Sequence, residues 1–178
     1  MGHVRGISLT ALVVALLFSS ARAQQVTSDP VPGITNFKRL ESTVACAGAT
    51  TPESMRAVKE MGFASVVNLR QGSEPNANIE AESAAATAAG LHYVHVPFNS
   101  ASPDPAVVDR FLAAARDPAN QPMFIHCASG NRAAAMWVIK RALIDGWPLE
   151  RATAEAEKLG LEHEQLKKFA AEYVKARQ

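Results

Sequence analysis

The stretch Phe124-Ile125-His126-Cys127-Ala128-Ser129-Gly130-Asn131-Arg132 holds the sharpest chemical signal in the chain. An apolar run, read as a strand, ends in a cysteine. A loop of small residues follows, and an apolar helix begins on its far side. Such a loop turns its N–H groups and the positive end of the helix toward one point, where an anion can sit. The same field favours the thiolate of Cys127, the form in which a cysteine is nucleophilic. Arg132, one turn into the helix, can bring a guanidinium fork to the oxygens of a bound oxyanion. Gly130 lets the backbone turn without a side chain in the cradle. Cys127 is therefore the candidate nucleophile, Arg132 the fixed cation, and Ala128, Ser129, Gly130 and Asn131 the candidate substrate-binding loop.

The elements that must position this loop follow from the rest of the pattern. Residues 44–48 form a weak strand candidate. Thr51-Pro52 opens a helix running to Met61, with Thr51 as N-cap and Gly62 closing it. Residues 64–69 read as a buried strand and 79–89 as an alanine-rich helix ended by Gly90. Residues 91–98 alternate like a strand, 103–116 are helical, and residues 123–126 form the last strand. The next helix, 131–144, is apolar all round from Ala133 to Ile139, which marks it as the buried central helix with Met136 and Trp137 in the core. Residues 148–159 form a charged surface helix. The last helix, 163–176, spaces Leu166, Phe169, Ala170, Tyr173 and Val174 for docking on one face. Strands alternating with helices of this length predict an α/β fold: a mostly parallel sheet of four to five strands with helices on both faces.

Composition narrows the function classes. The 178 residues are 48% hydrophobic and 20% charged, which fits one soluble globular domain and excludes a disordered or collagen-like chain. A net charge of +1 without a dense basic cluster gives no footprint for nucleic acid. The two cysteines, Cys46 and Cys127, have no partners at zinc-ligand spacing, so neither a metal nor another cofactor is expected. At the N-terminus, Arg5, an apolar stretch over residues 7–18, and Ala21-Arg22-Ala23 follow the layout of a secretory signal cleaved after Ala23. The apolar stretch falls short of the roughly 20 residues that span a bilayer. The mature chain is thus expected in a periplasm or outside the cell, without stable membrane association. Residues 24–35, with Pro30, Pro32 and Gly33, read as a flexible leader lacking secondary structure, and residues 36–178 as the folded domain.

His126-Cys127, the small loop and Arg132 resemble the phosphate-binding loop of cysteine-based phosphatases of the protein-tyrosine and dual-specificity type. Val66-Val67-Asn68-Leu69-Arg70 with Glu74, Gly90-Leu91-His92-Tyr93 and His95-Val96-Pro97 precede it in that family's order, and the likeness runs from about Phe37 to Ala142. Within that group the chain resembles the small bacterial phosphatase-like domain also found attached to beta-lactamase-hydrolase-like proteins. The resemblance implies a protein-tyrosine-phosphatase-like fold and a metal-independent reaction on a phosphorylated substrate. Cys127 would form a phospho-cysteine intermediate and Arg132 would clamp the oxyanion. It also implies that Glu74 braces the loop arginine, with a solvated surface acid as the plain alternative, and that Arg70 and His126 support the loop. Such chemistry needs a general acid, commonly Asp. Asp104 is the only acid in the segment 99–105, where it suits the first turn of a helix equally well.

Two departures keep other readings open. Only four residues separate Cys127 from Arg132, where the phosphatase loop usually has five; four is the spacing of rhodanese-type sulfurtransferases, which carry a persulfide. Ala133 stands where those phosphatases place a hydroxyl that helps the thiolate leave. A sulfurtransferase using a sulfur donor and a catalytically silent anion-binding module therefore stand beside the phosphatase. His92 and His95 alternate on a strand and form no metal set with His126. Cys46 reads as a buried small residue, with pairing to Cys127 as the alternative.

Overall fold

The computed structural model describes residues 25–178. The signal sequence expected over residues 1–23 lies outside the described residues. Among the described residues six strands form one sheet: β1 (Val26–Thr27), β2 (Lys38–Leu40), β3 (Val44–Ala47), β4 (Ser65–Asn68), β5 (His92–His95) and β6 (Met123–His126). Among the described residues six α-helices accompany them: α1 (Met55–Glu60), α2 (Ile79–Ala88), α3 (Pro105–Arg116), α4 (Asn131–Leu143), α5 (Leu149–Lys158) and α6 (Glu164–Lys175). The strand order is β1-β2-β3-β6-β4-β5. The neighbours β3, β6, β4 and β5 run parallel, while β1 and β2 add an antiparallel edge.

Every residue of β3, β4 and β6 is buried, because helices cover both faces of a parallel sheet. Alternate residues then serve opposite cores. Ala45, Val66 and Phe124 pack with Met55, Val58 and Ala86 on the α1–α2 side. Cys46, Val67, Ile125 and Cys127 pack on the other side with residues from α3 to α6. There α4 is buried from Ala133 to Ala142. Its Lys140 and Arg141 tolerate this by pairing with Asp145 and lying over the Trp137 ring.

The sheet has two more strands than the parallel four. Strands of two and three residues leave no periodicity to read, and Lys38-Arg39-Leu40 looks polar by composition. Residues 25–35 also differ from the structureless leader expected for them. Val26 pairs with Leu40, and Ile34 is buried and bridges both Val31 and Thr50. Pro30, Pro32 and Gly33 here shape a turn against the domain. The helix expected from Pro52 begins as a 3-10 turn, Pro52–Ser54, before α1 takes over. The strand expected over 91–98 pairs regularly only over β5 and runs into Pro97, which has no N–H to donate. The helix α5, expected at the surface, is docked through Ala152 and Ala156, both fully buried.

The central position of β6 is what matters for chemistry. Its carboxyl end lies between those of β3 and β4. The Cys127 N–H donates to Ala47 O at 3.1 Å, and the Leu69 N–H donates to His126 O at 2.9 Å. Ligand sites in such sheets form outside the carboxyl ends of the strands.

Candidate active site

Cys127 leaves β6 fully buried, and its Sγ accepts the Gly130 N–H at 3.1 Å. That turn needs φ = 98° at Gly130, a left-handed conformation that side chains disfavour. Gly48, just after β3, is required for space: a Cβ there would collide with Thr35 Oγ1 and sit 3.0 Å from Ala128 O. This closeness lets β3 hold the loop. The Ala49 N–H donates to Ala128 O at 3.0 Å, Gly48 bridges Ser129, and Asn36 Nδ2 donates to Ser129 O at 3.1 Å. The loop closes into α4, whose first N–H groups have no carbonyl one turn back.

Arg132 is fixed from one end. Its Nη1 and Nη2 donate to the two carboxylate oxygens of Glu74 at 2.6 and 2.8 Å, and Nη1 also reaches Leu69 O and Phe98 O. Burial alone would raise the Glu74 carboxyl. The two bonds from Arg132, the Gln71 N–H and the guanidinium charge outweigh it and hold Glu74 at about 2. Burial likewise opposes the charge of Arg132, and Glu74 together with the Cys127 sulfur more than restores it. Arg70 is not a ligand-facing cation. It is buried and ties down the loop that presents Glu74, through Glu74 itself at 3.4 Å, Asn76 O at 2.9 Å and Pro75 O at 2.5 Å.

His126 points to the opposite face from Cys127, into a buried polar network. Its Nε2 lies 2.7 Å from Glu82 Oε1 and its Nδ1 lies 3.4 Å from Thr50 Oγ1. Thr50 Oγ1 donates to Glu82 Oε2 at 3.0 Å, and Asn68 Nδ2 donates to Glu82 Oε1 at 3.2 Å and to Tyr93 Oη at 2.9 Å. Burial, with Glu82 close by, pushes the Tyr93 hydroxyl up and keeps it protonated. This network joins β4, β5, β6 and α2 directly beneath the loop. Glu82 was missed from sequence; an acid two turns before Gly90 in an alanine-rich helix gives no sign of which way it faces.

Above Arg132 opens a cleft of about 310 Å³, lined among others by Glu74, Asn99, Ser129, Asn131 and His163. Asp104 is not among its lining residues. Asp104 is exposed and caps α3, accepting the Ala106 N–H at 2.9 Å. Asn131 spends its side-chain oxygen on the N–H groups of Glu162 and His163, 2.8 Å each. His92 pairs with Asn120 at 3.3 Å and His95 with Arg70 O at 2.8 Å, each on its own side of β5. Cys46 is a fully buried free thiol; burial and the neighbouring Cys127 push it up.

A family model described as the phosphatase-like domain of beta-lactamase hydrolase-like proteins matches residues 36–144. The chain belongs to this family. Among curated relatives, a beta-lactamase hydrolase-like protein of Xylella fastidiosa is 32% identical over 126 residues, 70% of this chain and 28% of that protein. One from Agrobacterium fabrum is 31% identical over 108 residues, 59% of this chain and 25% of that protein. The chain thus spans about a quarter of the length of these relatives. The fold is shared with the core catalytic domain of a PP-IP phosphatase from S. cerevisiae (TM-score 0.64, 19% identity, 83% of this chain and 93% of that one). It is shared as well with P. aeruginosa TpbA, solved in complex with pTyr (TM-score 0.62, 20% identity, 88% of this chain and 91% of that one). The phosphatase-like domain is therefore a protein-tyrosine-phosphatase-like α/β fold.

Proposed function

We propose that this phosphatase-like domain hydrolyses phosphate monoesters through a cysteinyl phosphate on Cys127. One observation carries the reading. Glu74, Leu69 O and Phe98 O occupy Nη1 and one side of Nη2 of Arg132, while Nε and the other Nη2 hydrogen meet no protein oxygen among the described residues. That edge is a two-pronged donor, the shape that two phosphoryl oxygens accept. Cys127, with Glu74, also helps to keep the guanidinium charged, so clamp and nucleophile are electrostatically coupled.

The reaction follows from this placement. The Cys127 thiolate attacks phosphorus in line with the leaving oxygen. The Arg132 edge and the N–H groups of residues 128–131 hold the equatorial oxygens, where charge gathers in the transition state. The bond to the leaving oxygen breaks, water then attacks the cysteinyl phosphate, and the thiolate is regenerated. Glu74, ionised throughout, keeps Arg132 from swinging away between the two steps.

The four-residue loop and Ala133 favour sulfur transfer as a second reading. The Ala133 methyl is fully buried at the head of α4 and offers no proton to the departing thiolate. One experiment separates the two: offer the purified protein an aryl phosphate and, in parallel, thiosulfate with cyanide. Phosphate release that vanishes in Cys127→Ser supports the first reading. Thiocyanate formation with no phosphate release overturns it in favour of the second. Export is part of the proposal, resting on Arg5, the apolar stretch 7–18 and Ala21-Arg22-Ala23. Intact-mass measurement of the exported protein should find Gln24 as its first residue.

A further inference from the structure

We propose that His163, at the head of α6, is the proton donor to the leaving oxygen; this rests on the phosphatase reading above. Among the described residues, the titratable or cationic ones that line the cleft are Glu74, Arg132 and His163. Glu74 has no proton to give near neutral pH, since Arg132 holds it ionised down to about 2. Arg132 is kept charged by the same pair. Asp104, which sequence position favoured, is turned to its own helix and accepts the Ala106 N–H. Histidine is the remaining group, and it is the side chain suited to exchange protons around neutrality.

The placement of His163 is built from the catalytic loop itself. Asn131 immediately precedes Arg132, and its Oδ1 accepts both the Glu162 and the His163 N–H at 2.8 Å, across 31 and 32 residues of chain. The His163 carbonyl accepts the Leu166 and Lys167 N–H groups at 3.0 and 3.1 Å, and Leu166 is buried one turn on. The backbone is thus held on both sides, and the exposed His163 lines the cleft. An asparagine that binds the loop to a distant helix start explains why the phosphate-binding loop carries a side chain that does not reach for substrate.

In the first step the Cys127 sulfur–phosphorus bond forms as the phosphorus–oxygen bond to the leaving group breaks. The electron pair stays on that oxygen, and the His163 imidazolium gives it a proton, releasing the alcohol. In the second step neutral His163 takes a proton from the attacking water. The sulfur–phosphorus bond breaks, thiolate and inorganic phosphate result, and the imidazolium is restored. No further reactant is needed.

The test is leaving-group dependence. A nitrophenolate leaves without help, whereas phenolate needs a proton, so loss of the donor should weigh on one ester only. His163→Gln should lower kcat/KM about 100-fold on phenyl phosphate and less than about 10-fold on p-nitrophenyl phosphate. Asp104→Asn keeps the helix cap while removing the acid. A selective loss in Asp104→Asn with none in His163→Gln overturns the proposal, as does an equal loss on both esters in His163→Gln. If the wild type releases phosphate through Cys127 but His163→Gln matches it on both esters, only the role of His163 falls. Absence of Cys127-dependent release in the wild type removes the phosphatase reading with it.

Discussion

Glu74 and Arg132 meet end to end, with two hydrogen bonds of 2.6 and 2.8 Å across 58 residues of chain. The pair does more than hold charge: it orients the guanidinium so that its second edge meets no protein oxygen among the described residues. A lysine cannot reproduce this, since one ammonium cannot span both Glu74 oxygens and still offer two parallel donors. In Arg132→Lys, phosphate release should fall about 100-fold or more. A persulfide carries a single charge that a lysine can still stabilise, so any sulfur transfer should survive far better. Parallel turnover assays on wild type and variant measure the ratio.

The same pair sets an acid dependence. Glu74 titrates at about 2 in the fold against an ordinary value of 4.5. A carboxyl depressed on folding contributes stability that is complete above its unfolded value and is lost as pH falls through the folded one. The advantage of wild type over Glu74→Gln in denaturant midpoint should therefore be largest above pH 5 and shrink steadily toward pH 2. Urea titrations across that range measure it. A difference that grows on acidification would contradict the clasp.

The loop was legible because its chemistry is contiguous: strand end, cysteine, glycine turn and arginine lie in one short stretch whose local physics is nearly self-sufficient. Glu74 and the parallel strands followed from motif order and from apolar runs of the right length. Other parts depend on packing that no local window contains. Val26–Thr27 and Lys38–Leu40 become strands only by pairing on the edge beside β3. Glu82 is recognisable only once α2 has turned it toward His126. His163 reaches the cleft only because α4, α5 and α6 pack together and Asn131 ties the last of them back.

Glu82 should be a stability residue of the first rank. It is 1% exposed and accepts from Thr50 and Asn68 while pairing with His126. Truncation in Glu82→Ala leaves those groups buried without an acceptor. Breaking a buried pair from one side costs about 3–5 kcal/mol. Urea unfolding should show a lower midpoint at an unchanged slope, and a loss under about 1 kcal/mol would deny the network its structural role.

The two thiols should behave oppositely toward alkylation. Cys46 is sealed in the core, where burial and Cys127 disfavour its thiolate. Cys127 is buried as well, but it sits at the loop, where its sulfur accepts the Gly130 N–H and is coupled to the charge of Arg132. Brief iodoacetamide treatment of the native protein should modify Cys127 alone, and Cys127→Ser should take up none. Peptide mapping by mass spectrometry reads the site. Preferential labelling of Cys46 would reverse the assignment of the nucleophile.

A phosphoryl group that passes through the Cys127 sulfur should be trappable there. Mixing the protein with p-nitrophenyl phosphate and quenching in acid within the first turnover should trap one phosphoryl group per chain. Peptide mapping should place it on Cys127 as an S-phosphocysteine, with none in Cys127→Ser. Nitrophenol release at full rate from Cys127→Ser, or a phosphoryl group trapped on any other residue, would contradict the account.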